Sequence, residues 1–189
     1  MEDGSDEEWL DRVRRGEPSG ATFLFEKYSA SLLRFTDRML GNRAEAEEVT
    51  QEVFVKLISR ADQYDGRASV GSWLFAIATN ACRDRLRKST RRPSVSLEAV
   101  AEAPAPGQAA DVRLAERERR RAVRRALSRL SEEQREALVL ARYHGMPYAE
   151  IARTLQISEG AVKTRIFRAM ETLKELFSEG DRKWNAATP

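Results

Sequence analysis

Cysteine and histidine are nearly absent from this 189-residue chain: Cys82 and His144 are the single examples of each. One cysteine excludes an internal disulfide. One cysteine and one histidine cannot furnish a zinc site of the Cys/His type. Cys82 sits in a stripe of small apolar residues and reads as core. His144 precedes Gly145 at an expected helix end and reads as a surface or capping residue. No apolar run approaches the roughly 18 residues that span a bilayer, so no membrane insertion is expected. The opening MEDGSDEEWL is acidic and lacks the basic-then-apolar order of a signal peptide, which points to the cytoplasm. A glycine-rich nucleotide loop, a metal-ligand cluster and a nucleophile–base pair are missing too. No catalytic residue, cofactor or metal is therefore expected.

Strand-like alternation does not survive beyond a few residues, and helical periodicity runs through the chain. Apolar residues make up 41% and charged residues 33%. Net charge is only +3, yet the charges are segregated. Glu2, Asp3, Asp6, Glu7 and Glu8 crowd the start. Arg83, Arg85, Arg87, Lys88, Arg91 and Arg92 crowd one later segment, and arginines dominate residues 113–129. Two basic clusters in a nearly neutral chain suit a polyanion partner, though solvated helix faces would look the same.

Ser5 and Glu8 form a capping-box pattern opening a first helix, with Trp9, Leu10 and Val13 inward. Gly16 and Pro18 end it. A second helix is predicted over about 20–40, with Leu24, Phe25, Tyr28, Leu32, Phe35 and Met39 inside and Gly41 as its stop. Asn42 caps a third, whose stripe is Val49, Val53 and Leu57 and whose outer face holds Glu45, Glu47, Glu48 and Glu52. After the loop ADQYDGRASVGS, a helix over about 72–88 buries Leu74, Ile77, Ala78, Ala81 and Cys82. Trp73, Asn80, Asp84 and Arg87 share another face. Residues 90–111 then become rich in proline and alanine and read as a flexible linker. The expected fold is all-α: a helical domain over 1–89, a second over 112–178, and a tail over 179–189 that frays.

The second domain carries the sharpest local pattern. Ser131 and Gln134 form a capping box for EEQREALVLARY, which stops at Gly145. Pro147 starts the short helix YAEIARTL. A turn at Gln156, Ile157 and Ser158 leads to a longer basic helix. Two helices joined by a tight turn, the second basic at its start, match a DNA-reading helix-turn-helix. At 100° per residue, Val162, Ile166, Ala169, Met170 and Leu173 share the inner stripe. Gly160, Thr164, Phe167 and Arg168 point outward with Lys163 on the flank. Ser158 caps the helix, and its N-terminus favours phosphate.

At these residues the chain resembles the extracytoplasmic-function group of bacterial sigma factors. LSRLSEEQREALVLARYHGMPYAEIARTLQISEGAVKTRIFRAMETLKELF resembles region 4 of that family. AEEVTQEVFVKLISRADQYDGRASVGSWLFAIATNACRDRLRK resembles region 2. The resemblance implies that EEVTQEVFVKL docks on core RNA polymerase through Glu48, Gln51, Glu52, Phe54 and Lys56. It implies that Trp73, Asn80, Arg83 and Arg87 recognise the opened minus-10 element, together with the loop from Tyr64 to Ser72. It assigns duplex minus-35 recognition to Ser158, Gly160, Lys163, Thr164 and Arg168. The Pro-rich linker joins the domains flexibly, so they are expected to clamp a surface only when bound, and the resemblance adds an anti-sigma protein as a candidate partner that would fill the space between them. Two departures stand out. Gln156 occupies the turn position where the family favours Gly, and Pro147 stands where a Ser or Thr cap is usual.

Trp73 also suits a core anchor, as the lesser of its two readings. A helix-turn-helix regulator acting on duplex DNA without polymerase is the main rival reading, but it gives no reason for the acidic third helix. A helical protein-binding scaffold leaves the basic reading face unexplained.

Overall fold

The computed structural model describes residues 4–91 and 110–187, and all regular structure among them is helical. The first domain contains α1 (Asp6–Arg14), α2 (Pro18–Leu40), α3 (Arg43–Ser59), a single 3-10 turn (Ala61–Gln63) and α4 (Val70–Arg91). The second contains α5 (Ala110–Ser128), α6 (Glu132–Tyr143), α7 (Tyr148–Leu155) and α8 (Glu159–Ala187).

Local chemistry sets most boundaries. The Ser5 side chain accepts from the Glu8 N–H while Glu8 reaches back to the Ser5 N–H, a reciprocal cap on α1. Pro18 opens α2, where its missing N–H costs nothing. That start lies two residues ahead of the expected one. Gly41 closes α2 in the left-handed conformation at φ 69°. Asn42 accepts from the Ala44 and Glu45 N–H groups to start α3. Ser131 and Gln134 repeat the capping box on α6. Helix α8 continues to Ala187, so the tail expected over 179–189 is helical as far as that residue. A single Gly180 costs about 1 kcal/mol relative to alanine, and no proline intervenes.

The first domain closes on Leu24, Leu32, Phe35, Met39, Val49, Val53, Leu57, Leu74 and Cys82, each fully buried. Phe35 meets Phe75 edge-on at 5.4 Å. Thr36 and Thr50 enter this core because the Thr50 hydroxyl donates to the Ala46 carbonyl and accepts from the Thr36 hydroxyl. Gly20 lets α1 and α2 touch: a Cβ there would lie 2.5 Å from the Trp9 carbonyl oxygen. Arg14 fastens the 3-10 turn by donating to the Ala61 and Tyr64 carbonyls.

Two inward assignments are corrected. Phe25 is half exposed, tilted over Phe54 at 4.8 Å. Met170 is also exposed. Each lies on the edge of its apolar stripe, where its neighbours among the described residues cover it only in part.

The domains pack directly on one another, α7 against α4 and α6 against α2. This differs from the expectation that they close only around a bound partner. Arg83 donates from Nε and Nη2 to both oxygens of Glu136 at 2.6 Å. Arg135 donates to the Met39 carbonyl, and Arg124 pairs with Asp37 at 2.8 Å. The linker assigned to 90–111 lies mostly outside the described residues; helix persists to Arg91 and resumes at Ala110.

Candidate nucleic-acid interface

The helix-turn-helix is built from α7, a tight turn and the start of α8. Gln156 makes the turn in the left-handed region at φ 56° and ψ 46°, alone among the described non-glycine residues in having positive φ. A side chain there costs roughly 1 kcal/mol relative to glycine. The Gln156 N–H bonds the Arg153 carbonyl and the Ile157 N–H bonds the Ala152 carbonyl, which closes the end of α7. Pro147 opens α7 without a side-chain cap bond. The Ser158 hydroxyl accepts from the Ala161 N–H at 3.2 Å and fixes the start of α8.

Val162, Ile166 and Ala169 anchor α8 in the core. Gly160, Lys163, Thr164, Phe167 and Arg168 are all exposed, on the face expected to meet DNA. Phe167 is 65% exposed, a large apolar surface beside two cations. Thr164 spends its hydroxyl proton on the Gly160 carbonyl, leaving its methyl group and oxygen lone pairs outward. Lys and Arg here suit guanine edges or phosphates, and apolar contacts suit thymine methyls.

The α4 face has a second arrangement. Trp73 is partly buried, tilted against Tyr64 at 5.6 Å. It thus serves as an anchor while keeping an open edge. Asn80 is exposed, and its Oδ1 accepts from Arg83 at 3.5 Å. Arg87 is exposed and paired with Asp84 at 2.6 Å. Arg83 differs from its neighbours because its Nε and Nη2 donors are spent on the fully buried Glu136. Burial pushes the Glu136 carboxyl up, while the Arg83 hydrogen bonds pull it down. Burial is the larger effect and leaves the Glu136 carboxyl above its ordinary value, while the same bonds raise Arg83 above its own. The structure therefore sets Trp73, Asn80 and Arg87 along one accessible side and turns Arg83 toward the second domain.

The α3 face combines exposed Glu48, Gln51 and Glu52 with half-buried Lys56, which pairs with Glu52 at 2.6 Å. Glu48 pairs with Arg85 of α4 at 2.7 Å. Phe54 is only 8% exposed and presents little surface of its own. The apolar groups that do face outward are Val55, Ile58 and the covering Phe25. Sequence reasoning missed Val55 and Ile58, although their spacing from Glu48 and Glu52 on the outer face could have found them.

An all-α chain with a helix-turn-helix in one domain, and an exposed aromatic, amide and arginine face in the other, has the build of a DNA-binding protein. The comparisons identify the family. Residues 24–92 match Sigma-70 region 2, and residues 120–173 match Sigma-70 region 4. The chain is 30% identical to the RNA polymerase sigma-H factor of Pseudomonas aeruginosa over 176 residues, covering 89% of this chain and 91% of that one. It is 35% identical to the sigma factor SigM of Mycobacterium tuberculosis strain H37Rv over 172 residues, covering 91% of this chain and 84% of that one. Among solved structures, the sigma factor RpoE of Bartonella quintana, in complex with the anti-sigma factor NepR, aligns at TM-score 0.65 and 26% identity. That match covers 83% of this chain and 96% of RpoE. The chain belongs to the extracytoplasmic-function group of RNA polymerase sigma factors. It is a promoter-recognising sigma factor rather than a free-standing regulator of duplex DNA.

Proposed function

We propose a division of this sigma activity among three faces. The outer side of α3 docks on core RNA polymerase through Glu48, Gln51, Glu52 and Lys56, with Val55, Ile58 and Phe25 as its apolar part and Phe54 supporting Phe25 from beneath. Trp73, Asn80, Arg83 and Arg87 hold the opened minus-10 strand. Ser158, Gly160, Lys163, Thr164 and Arg168 position and read the duplex minus-35 element. The domain boundaries follow the same division: polymerase docking and minus-10 capture up to about residue 89, minus-35 recognition over 112–178.

The observation that carries this reading is the start of α8. A rigid turn holds a capped helix N-terminus outward, with Lys163, Thr164 and Arg168 exposed on one face. An N-terminus of this kind receives a phosphate while side chains one turn on reach base edges. Opened strands need stacking faces and hydrogen-bonding groups beside positive charge, which α4 offers.

Among the described residues no helix is long and apolar enough to cross a membrane. A protein working on polymerase and promoter acts in the cytoplasm. An anti-sigma protein is its expected regulator, since RpoE of Bartonella quintana was solved with one.

Transcription from a promoter template tests the assignment. Core polymerase alone should give no specific transcript, and core with this chain should give one. Reversing Glu48 and Glu52 to Lys should weaken assembly with core while leaving the helical signal intact. Unchanged assembly would move the docking surface elsewhere.

A further inference from the structure

The feature that the division above leaves unexplained is the chemistry between the two domains. Glu136 is fully buried, an expensive place for a carboxylate. It lies on α6, on the same face as Ala137 and Leu140, and both of its oxygens accept from Arg83 of the other domain. A second carboxylate from the same domain does likewise. Glu150 of α7 accepts from the Ser69 hydroxyl at 2.5 Å and from the Ser72 hydroxyl. Ser69 and Ser72 sit at the N-terminus of α4, where the Ser72 N–H also bonds the Ser69 hydroxyl. Burial alone would raise the Glu150 carboxyl, but the Ser69 and Ser72 bonds hold it below its ordinary value. It is an anion seated at a helix N-terminus.

Both carboxylates thus occupy groups suited to nucleic-acid phosphate. A guanidinium takes carboxylate and phosphate in the same two-pronged geometry, and a helix N-terminus with two hydroxyls accepts either anion. We propose that the second domain masks the strand-holding face of the first by intramolecular mimicry, Glu136 standing for a phosphate on Arg83 and Glu150 for one on Ser69 and Ser72. This rests on the assignment of that face to the opened minus-10 strand.

The two occupants exclude each other. The Nε and Nη2 donors of Arg83 cannot serve Glu136 and a phosphate at once. The free chain therefore binds single strands with an affinity lowered by the fraction of molecules that stand open. Docking on polymerase, by separating the domains, would unmask the face where promoter DNA is present. The mask also gives a reason for keeping a charge in the core of α6, where an apolar residue would pack more cheaply.

The test uses the full chain with spin labels at Ser59→Cys and Lys174→Cys, both exposed positions in different domains. Cys82 is fully buried, with its thiol pushed up by burial, and stays unlabelled. The interdomain distance distribution is measured without DNA. Binding of a random-sequence single-stranded oligodeoxynucleotide is then measured by fluorescence anisotropy. Glu136→Gln with Glu150→Gln should shift the distances to a longer, broader distribution and tighten oligonucleotide binding about tenfold. Distances unchanged from the parent would overturn the mask. If the double variant loses its helical signal, Glu150→Gln alone, at a partly exposed site, carries the test. About a threefold gain is then expected, and no gain overturns the mask. Arg83→Ala separates the two ideas. It should open the domains as the carboxylate variants do yet bind the oligonucleotide more weakly than they do. Opening with equally tight binding would leave the latch standing and remove Arg83 from the DNA face, and with it the mimicry.

Discussion

Lowering the pH should loosen the contact between the domains through one residue, His144. It follows α6 as its C-cap, yet its ring is not the surface group that its sequence position suggested. It inserts between Phe75 at 4.8 Å and Phe35 at 5.9 Å, both from the first domain. Its Nε2 is buried without a hydrogen-bond partner. Burial, then the nearby Arg38 and Arg34, lower its pKa from 6.5 to about 4. The folded state thus binds fewer protons than the unfolded one between those values. The stabilisation is fully present above about pH 6.5, declines as pH falls toward 4, and levels off below that. At about pH 5 the loss would be about 2 kcal/mol if the ring were wholly enclosed. The ring keeps an open edge, and screening there reduces the loss to about 1 kcal/mol. In a chain of this size that is about 2–4 °C in Tm. His144→Phe keeps an aromatic ring between Phe35 and Phe75 and removes the titration. Thermal unfolding followed by circular dichroism, near neutrality and at about pH 5, should show the parent losing that much more than His144→Phe. Equal losses in the two chains would refute the burial argument, because every other titrating group is common to both.

Three further outcomes follow from geometry. Gly20→Ala should destabilise the first domain by about 2 kcal/mol in urea unfolding, since its methyl would press on the Trp9 carbonyl and the Val13 nitrogen. An unchanged midpoint would mean that α1 moves away without cost. Arg168→Ala should alter the relative use of minus-35 variants by about 1–3 kcal/mol if Arg168 reads bases. A uniform loss with a shallower salt dependence would make it a phosphate clamp. Asn80→Ala, in the assembled polymerase complex, should impair open-complex formation more than initial promoter binding, and a template mismatched across the minus-10 element should recover much of the loss. Wild-type opening rates on ordinary duplex would shift strand capture to the loop of residues 62–72.

What sequence reasoning read correctly is what neighbours in the chain decide. The Ser5 and Ser131 capping boxes each span three residues, and the Gly41 stop and the outward set Gly160, Lys163, Thr164 and Arg168 need only one helix to be understood. The errors cluster where a second helix decides. Phe25 and Met170 have the right spacing for burial, but spacing fixes direction and not what lies there. The contact between the domains was illegible for the same reason: Arg83 and Glu136 stand 53 positions apart, and Arg83 read naturally as one more cation in a basic cluster. One local signal did point to it. In EEQREALVLARY, Glu136 falls on the buried face with Ala137 and Leu140, where a carboxylate is tolerated only with a partner. Its neighbour Arg135 does not supply that partner, since it turns to the Leu130 and Met39 carbonyls. A charge on the wrong stripe of a helix is therefore a statement about another part of the chain. Here it required a cation from elsewhere, and the basic end of α4 is where one was available.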